Sequence, residues 1–377
     1  MQNKVDRYLT PQIQHWLFKG KIIILYGARQ VGKTTLSKEL LKANSAEDGY
    51  FNCEIQSVQT ALSQREPLAL QQFIGHKKFV VFDEAQQIPG IGEVLKLLAD
   101  TYPHIQIIAT GSSSFELANR SAEPLTGRAI TFELFPLSYA ELGQVYPAHE
   151  KKANLEFWLR FGFYPEVAMA PESDARMLLD NLSSRYLYKD ILEFENLKRP
   201  DVLVKLLQLL ALQVGQLVSY HELANHLKIS SATVERYIDL LEKAFVIFRL
   251  PAFSRNLRNE IGKKNKIFFY DVGIRNSIIQ QYQPLDLRSD KGGLWENFLV
   301  AERLKYLQAA GLRPNRYFWR NTSQSEIDYL EEQNGRLHAF EFKYAGRKSK
   351  IPGPFADAYP EHTFQVIDNQ NFESFVS

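Results

Sequence analysis

Four apolar runs in the first third of the chain alternate with segments of helical periodicity. The runs are short and nearly uninterrupted, as in the buried strands of a parallel sheet: Ile22–Tyr26, Lys78–Phe82, Ile105–Ala109 and Ala129–Phe132. The segments between them, such as Gly92–Ala99, collect apolar residues on one helical face. Strands that alternate with helices predict a parallel α/β sheet, in which ligands bind at the carboxyl ends of the strands.

The middle of the chain is predicted to be helical and then to form a winged helix. Residues 154–197 have a helical pattern, which is interrupted at Gly162–Pro165. Two further helices, Glu222–Leu227 and Ser231–Leu241, are joined by a short turn and followed by the strand-like run Phe245–Leu250. This succession is typical of a winged helix-turn-helix.

In the last third, a helix that contains Trp295–Val300 precedes three strand-like segments, Arg316–Arg320, Ser325–Leu330 and Leu337–Tyr344. Side chains alternate across a strand, so Glu326 and Asp328 share one face of their strand. By the same alternation Glu341 and Lys343 share a face of the next strand, while Phe340, Phe342 and Tyr344 face the core.

Composition and charge add a few restrictions. A chain of 377 residues with 45% hydrophobic and 23% charged residues is typical of a globular protein of two or three domains. The net charge of +2 requires any nucleic-acid-binding surface to be local. The single Cys53 cannot form an internal disulfide, and the sequence shows neither an apolar leader nor a run of membrane-spanning length. We therefore expect a cytoplasmic protein without membrane contact.

A phosphate-binding loop follows the first apolar run. Residues 27–34 fit GxxxxGK[ST] at every fixed position, and a helical pattern begins directly after them. The residues predicted to line the nucleotide are Gly27, Ala28, Arg29, Gln30, Val31, Gly32, Lys33, Thr34 and Thr35. Lys33 is expected to reach the β- and γ-phosphates, and Thr34 to bind Mg²⁺. The guanine element NKxD is missing, since Asn265–Phe268 lacks the aspartate, and ATP is the expected nucleotide.

Polar residues at the other strand ends complete the predicted site. Asp83 is expected to hold Mg²⁺, and Glu84 to orient and polarise the attacking water. Ser112 is a candidate sensor of the γ-phosphate, although Ser113 with Glu116 also fits a helix capping box. Arg128 is a candidate to reach the nucleotide of a neighbouring subunit; the alternatives are a surface ion pair of Arg128, or Arg120 in its place.

These residues resemble the AAA+ ATPase module of a large family of bacterial and archaeal ATP-binding proteins. The matching segments are residues 27–34, Asp83–Gln86, Thr110–Ser113, Leu125–Arg128 and Phe135–Leu142. The resemblance covers nearly the whole chain and implies ATP hydrolysis, an oligomer, and a companion domain of unassigned role. It also implies a helical lid, from which Arg160 or Arg185 is a candidate to face the nucleotide, but it does not identify a second-sensor arginine.

The winged helix suggests contact with DNA. In its second helix Glu235 and Asp239 offset Arg236, so the denser positive charge lies downstream. That downstream cluster, which could contact phosphates from the wing, consists of Arg255, Arg258, Lys263, Lys264 and Lys266. The alternative is a winged helix that contacts protein, with these side chains solvated.

Four residues of the last third follow the order of the PD-(D/E)xK nuclease fold: Glu296 on a helix, Asp328 on a strand, and Glu341 and Lys343 on the next strand. Carboxylates in this arrangement would hold one or two Mg²⁺ or Mn²⁺ ions, and the lysine would orient or deprotonate the water. Nearby Arg316, Arg320, Tyr317 and Trp319 could flank a nucleic-acid strand. The alternative is a solvated E-x-K strand in a plain binding scaffold.

Together these patterns predict an α/β protein in four parts. We expect an AAA+ P-loop core over residues 1–145, a helical lid over 146–200, a winged helix over 201–255, and a restriction-endonuclease-like α/β domain over 256–377. The expected function is Mg²⁺-dependent ATP hydrolysis by a homo-oligomer that remodels DNA or translocates on it, with metal-dependent cleavage as an added activity of the last domain. The alternative is a nucleotide-dependent switch that recruits a protein partner and has no nuclease activity.

Overall fold

A computed structural model of the chain describes residues 4–112, 125–184, 199–254, 265–321, 323–346 and 349–377. Three sheets organise these residues: one of five strands, one of three and one of four. Among the described residues, no helix is both long and apolar enough to cross a membrane.

The five-stranded sheet is entirely parallel and carries the phosphate-binding loop, which confirms the predicted α/β core. Its strands lie in the spatial order β2-β3-β4-β1-β5. In chain order they are β1 (Ile22–Tyr26), β2 (Tyr50–Asn52), β3 (Phe79–Asp83), β4 (Gln106–Gly111) and β5 (Ala129–Glu133). The helices that accompany the sheet are α1 (Thr10–Trp16), α2 (Lys33–Ala43), α3 (Gln56–Ser63), α4 (Pro67–Ile74) and α5 (Ile91–Thr101). Strand β2 was not predicted, because three half-buried residues form no recognisable apolar run.

A group of short helices follows the sheet. They are α6 (Tyr139–Leu142), α7 (Ala148–Ala153), α8 (Leu155–Phe161), α9 (Pro165–Ala168) and α10 (Glu172–Leu182). Helices α8 and α10 pack against α14 (Val272–Ile278), which lies far downstream in the sequence. The buried carboxylate of Asp271 joins the two segments, since it accepts hydrogen bonds from the backbone N–H groups of Phe163 and Ile274.

The winged helix forms around the three-stranded sheet, in the spatial order β6-β8-β7. Its elements are α11 (Pro200–Leu212), β6 (Leu217–Val218), α12 (Tyr220–Leu227), α13 (Ser231–Lys243), β7 (Ile247–Leu250) and β8 (Asn265–Phe269). Both α12 and α13 begin with a serine side chain that accepts a hydrogen bond from the first turn, which explains why the sequence located them well. The predicted boundary at residue 255 is wrong, because β8 pairs with β6 and β7.

The last sheet follows the long helix α15 (Lys291–Ala309). Strands β9 (Asn315–Arg320), β10 (Glu326–Gln333) and β11 (Arg336–Phe342) are antiparallel neighbours, and β12 (His362–Ile367) runs parallel to β11. Two short helices complete this unit, α16 (Gly353–Ala358) and α17 (Glu373–Val376).

Helix α15 joins the last unit to the ATPase core. The carboxylate of Glu302 on α15 accepts hydrogen bonds from the backbone N–H of Tyr139 at 2.7 Å and from Lys305 Nζ at 2.7 Å. Lys305 also donates to the carbonyl of Leu137, and the Tyr139 hydroxyl donates to Glu373. One continuous hydrophobic core therefore extends from the parallel sheet through the winged helix to α15.

Candidate nucleotide site and C-terminal carboxylate cluster

The phosphate-binding loop connects the end of β1 to the start of α2. Gly27 has φ +151° and Gly32 φ +103°, conformations that side chains with a Cβ rarely adopt. A Cβ on Gly27 would also lie 2.2 Å from the carbonyl oxygen of Leu134. The loop consequently depends on glycine for its conformation and, at Gly27, for its close approach to the segment after β5.

Lys33 begins α2 and is buried inside this loop. Its Nζ donates to the carbonyl oxygens of Gly27 at 2.8 Å and Ala28 at 2.9 Å. Gly32 precedes the helix in a left-handed conformation, and no side chain of the described residues caps the helix. The N-terminus of this helix therefore offers uncapped backbone N–H groups and an ammonium to an anion.

Asp83 lies at the end of β3 and connects three neighbours. Its carboxylate accepts hydrogen bonds from the hydroxyls of Thr34 at 2.8 Å, Tyr50 at 2.6 Å and Thr110 at 2.5 Å. The sequence assigned both Thr34 and Asp83 to Mg²⁺, and in the structure the Thr34 hydroxyl donates a hydrogen bond to the Asp83 carboxylate. Burial, and after it the hydrogen bond to Asp83, raise the pKa of Tyr50, so this phenol stays a neutral donor.

Glu84 follows in a left-handed conformation, with φ +53°. Its backbone N–H donates to the Thr110 hydroxyl, and its carboxylate accepts from the Gln86 side-chain amide. The same amide donates to Ser112 Oγ at 3.3 Å. Ser112 is thus linked to Glu84 through Gln86, whose role was not predicted. The other end of Gln86, Oε1, is buried and has no hydrogen-bond partner among the described residues.

A cavity of about 670 Å³ opens beside these residues. The phosphate-binding loop and Glu84 line one side of it. The other side comes from the N-terminal segment, from Leu137 and from the region of α9. Its apolar lining residues are Val5, Leu137, Pro165 and Met169, and its charged ones are Lys4, Arg7 and Glu166. Arg7 holds the N-terminal segment in place, since its guanidinium donates to the carbonyl oxygen of Val31 at 2.8 Å and pairs with Glu141. The sequence gave no signal for this apolar half, because its residues come from distant segments.

The residues present fit ATP with Mg²⁺. Uncapped N–H groups and Lys33 suit the phosphates, Thr34 and Asp83 offer the hard oxygen ligands that Mg²⁺ prefers, and the apolar half of the cavity suits a base. The buried, unpartnered Oε1 of Gln86 leaves an acceptor beside Glu84, where water could bind.

The predicted arginines lie away from this cavity. Arg128 is half exposed and pairs with Asp100, with 2.6 Å between Nε and Oδ1. It precedes β5, roughly 16 Å along the strand from the level of the phosphate-binding loop, so it does not reach its own nucleotide site. Arg160 pairs with Glu172 and lines a separate cavity. Ser113, Arg120 and Arg185 lie outside the described residues.

The structure brings the four predicted nuclease residues to one place and adds two others. Lys343 Nζ lies 2.6 Å from Glu341 Oε1, and Asp328 accepts a hydrogen bond from the backbone N–H of Phe342. Lys266 from β8 enters the same cluster: its Nζ lies 2.8 Å from Glu296 Oε1, 2.5 Å from Glu326 Oε1 and 3.9 Å from Asp328 Oδ1. In the described part of the chain, no three acidic, histidine or cysteine side chains are arranged as a metal site.

Burial dominates the electrostatics of this cluster. It raises the pKa of Glu296 to about 8 and that of Asp328 to about 6, although Lys266 opposes both shifts. Burial by itself lowers the pKa of Lys266, but attraction by Glu296, Asp328 and Glu326 outweighs it, and the net shift is upward. Lys266 therefore carries a full positive charge at neutral pH.

Two expectations for nucleic-acid contact are wrong. Lys266 was grouped with the basic wing, but only 1% of its side chain is exposed and it faces carboxylates. Trp319 was expected to flank a nucleic-acid strand, but it is buried against Phe355. Each sits in a strand segment beside an adjacent residue that is buried as well. The other members of the basic wing, Arg255, Arg258, Lys263 and Lys264, lie outside the described residues.

Solved structures offer distant likenesses to this chain. A signal transduction ATPase with numerous domains from Pyrococcus horikoshii is 13% identical at a TM-score of 0.28, over 82% of this chain and 48% of that chain. The chain thus spans about half the length of that protein. Cdc6p from Pyrobaculum aerophilum is 13% identical at a TM-score of 0.29, over 73% of this chain and 93% of that chain.

Family models and a sequence relative match more closely. Residues 19–143 match an AAA domain, residues 152–285 a domain of unknown function (DUF8612), and residues 291–367 a second domain of unknown function (DUF4143). An uncharacterized protein of Mycobacterium tuberculosis is 30% identical over 341 residues, which are 89% of this chain and 73% of that protein. The chain therefore belongs, with the mycobacterial protein, to a family of AAA+ ATPases.

Proposed function

We propose that this protein is an oligomeric, Mg²⁺-dependent ATPase that acts on DNA by remodelling it or translocating on it. The observation that carries the proposal is the set of side chains at the carboxyl ends of β1, β3 and β4. Lys33, Thr34 and Glu84 border one open cavity, and Asp83 is hydrogen-bonded to Thr34 beside it. The far side of the cavity includes the apolar residues Val5, Leu137, Pro165 and Met169. Such a cavity suits a nucleotide, with phosphates at the helix N-terminus.

Each residue has a distinct role in this proposal. Lys33 exchanges its carbonyl partners for phosphate oxygens, since a charge-assisted bond to an anion is the stronger one. Thr34 and Asp83 hold Mg²⁺, which neutralises charge on the phosphates when bound. Glu84 orients and polarises the attacking water, and Gln86 positions the Glu84 carboxylate.

Arg128 is the proposed arginine that acts on a neighbouring subunit. Its distance from its own loop rules out contact with its own nucleotide, and its exposed ion pair with Asp100 is weak enough to open toward a neighbouring subunit. Mixing Arg128→Ala subunits with Glu84→Gln subunits should then restore part of the turnover that each variant lacks. Asp100→Asn releases Arg128 without removing it and should stay active. Mixtures as inactive as their components would overturn the role in trans.

Contact with DNA is assigned to the winged helix. In the described residues, Arg249 is held by Asp239 and Glu242, and the face of α13 is therefore not strongly basic. The phosphate contacts are proposed for the basic residues Arg255, Arg258, Lys263 and Lys264, which lie outside the described part of the chain. We do not extend the proposal to cleavage, because a lysine lies among the carboxylates that would have to hold metal.

The test is ATP turnover in the absence and presence of single-stranded, duplex and branched DNA at a fixed, moderate salt concentration. DNA should raise turnover, and Lys33→Ala should abolish it with and without DNA. Turnover that is indifferent to every DNA would refute the DNA part alone. Turnover that survives in Lys33→Ala would refute the assignment of the nucleotide site.

The second candidate is an ATP-dependent switch that recruits a protein partner. Helix α13 favours it, because its Asp239 and Glu242 pair with Arg249 and leave this helix without a strongly basic face for phosphates. Retention on immobilised DNA at moderate salt separates the two candidates. Slow turnover together with no retention, with or without ATP, would favour the switch.

A further inference from the structure

One lysine of the winged helix lies inside the acidic cluster of the last unit. Lys266 Nζ is within 2.8 Å of carboxylate oxygens of Glu296 on α15 and Glu326 on β10, and 3.9 Å from Asp328 on β10. The ammonium donates a hydrogen bond to Glu296, forms a close ion pair with Glu326 and faces Asp328 at longer range. The ammonium thus occupies the point on which the carboxylates converge.

The backbone around Lys266 holds this position. Lys266 lies on the central strand β8, where it is paired with Leu217 on one side and Leu250 on the other. Gly215, just before β6, has φ +75°, and a Cβ there would lie 2.7 Å from Glu296 Oε2. Two residues of the winged helix therefore lie against Glu296: Lys266 supplies a positive charge, and Gly215 leaves room for the carboxylate.

The rest of the cluster is compensated by its own side chains. Lys343 pairs with Glu341 at 2.6 Å, and Arg320 Nη1 lies 3.3 Å from Glu326 Oε2. With Lys266, three cations face the four carboxylates of Glu296, Glu326, Asp328 and Glu341. A divalent metal bound among Glu296, Glu326 and Asp328 would have to displace the ammonium of Lys266, because two cations that share the same oxygens repel strongly.

We propose that Lys266 is the resident cation of this cluster, and that it clamps the winged helix to the last unit while it keeps divalent metals out. In this arrangement the cluster is a charged contact between two units, and the ammonium occupies the place that a metal would need. The proposal requires neither ATP nor DNA and therefore stands or falls separately from the function proposed above.

The test measures Mn²⁺ binding to the whole protein by the electron paramagnetic resonance signal of free Mn²⁺. Every sample is free of nucleotide and carries Asp83→Asn, which removes the metal ligand at the phosphate-binding loop. Lys266→Met is compared with this parent, and Lys305→Met serves as the matched control, because Lys305 is also a buried lysine paired with a glutamate of α15. Lys266→Gln is the second variant, and it keeps a neutral donor for the carboxylates if the methionine variant does not fold.

Removal of a unit charge some 3–4 Å from the site should tighten Mn²⁺ binding by about tenfold or more. The parent and Lys305→Met should bind weakly and alike. The gain in Lys266→Met or Lys266→Gln should disappear when Asp328→Asn is added. Two results would overturn the proposal: a parent that binds one equivalent of Mn²⁺ through Asp328 with Lys266 present, or folded Lys266 variants with no gain in affinity.

Discussion

The nucleotide site and the carboxylate cluster both place a buried lysine among polar groups at the end of a sheet, but the partners of the two lysines differ. Lys33 donates to neutral carbonyl oxygens of its own loop and borders an open cavity. Lys266 is surrounded by carboxylates from another unit. A lysine with neutral partners gains by exchanging them for phosphate, whereas one that is already neutralised does not. The charge of the groups around each lysine therefore distinguishes the nucleotide site, which is open to an anion, from the carboxylate cluster, which is closed.

The two regions are joined through α15. Glu296 near the start of this helix belongs to the cluster, whereas Glu302 and Lys305 contact Tyr139 and Leu137 of the ATPase core. The segment just before them contains Leu134, whose carbonyl oxygen limits the space at Gly27 of the phosphate-binding loop. A rigid helix thus connects the neighbourhood of the nucleotide with the cluster. The following predictions test the contrast between the two regions, from the largest expected effect to the smallest.

Glu84→Gln should separate turnover from binding at the open site. We expect ATP turnover to fall by about 100-fold or more, because the residue that polarises water is lost. Nucleotide binding should persist, since Lys33 and Thr34 are unchanged. Steady-state turnover and binding of a fluorescent ATP analogue measure the two quantities. Glu93→Gln, an exposed glutamate paired with Arg65, is the control and should leave both unchanged.

Glu296→Gln should make the stability of the folded protein less dependent on pH. The pKa of Glu296 in the folded protein, about 8, lies above its ordinary value, so the folded state binds this proton more tightly than the unfolded chain. The resulting stabilisation is complete below the unfolded pKa of about 4.5 and is lost as pH rises through 8. Asp328, with a folded pKa of about 6, likewise stabilises the folded state at low pH and loses this contribution as the pH rises through 6.

Melting temperatures from pH 5 to 9 test this prediction. At pH 5 the variant and the wild-type protein should melt alike, and at pH 9 the variant should be the more stable. The difference should amount to a few kcal/mol at most, at ~1.4 kcal/mol for each pKa unit. A difference that does not change with pH would show that Glu296 is charged in the folded protein throughout this range.

Gly215→Ala tests how closely the winged helix fits Glu296. Gly311 has a similar backbone conformation, φ +69° against +75°, but a Cβ there would meet nothing within 4 Å among the described residues. We expect Gly311→Ala to cost about 1 kcal/mol of unfolding free energy, and Gly215→Ala about 2 kcal/mol. Denaturant unfolding measures both. Equal costs would mean that Glu296 moves aside freely, which would weaken the case for a clamp.

Gln86→Ala should have the smallest effect. Gln86 links Glu84 to Ser112 but does not itself line the cavity. Loss of one neutral donor, about 1 kcal/mol, should lower turnover roughly fivefold and leave ATP binding unchanged. The turnover number and the binding constant for ATP are the measurements. An effect as large as that of Glu84→Gln would give Gln86 a direct part in the chemistry.

Local patterns in the sequence predicted those parts of the protein that depend on neighbours along the chain. The phosphate-binding loop, the pairing of Thr34 with Asp83 and the helices of the winged helix follow from short motifs, caps and strand ends. The described part of the predicted lid is mainly helical, but its packing on α14 had no signal in the sequence. The boundary at residue 255 was wrong because β8, which follows it, pairs with β6 and β7 of the winged helix.

The sequence by itself determined which residues could bind phosphate or metal, since glycine spacing and alternation along strands are local properties. Only the tertiary structure decided which of those sites is open. It placed Lys266 among carboxylates that lie 30 to 62 positions later in the chain, and it completed the nucleotide cavity with Val5 and Met169 from opposite sides of the loop. Burial and the charge of distant neighbours set the state of a buried ion, and no local pattern encodes them.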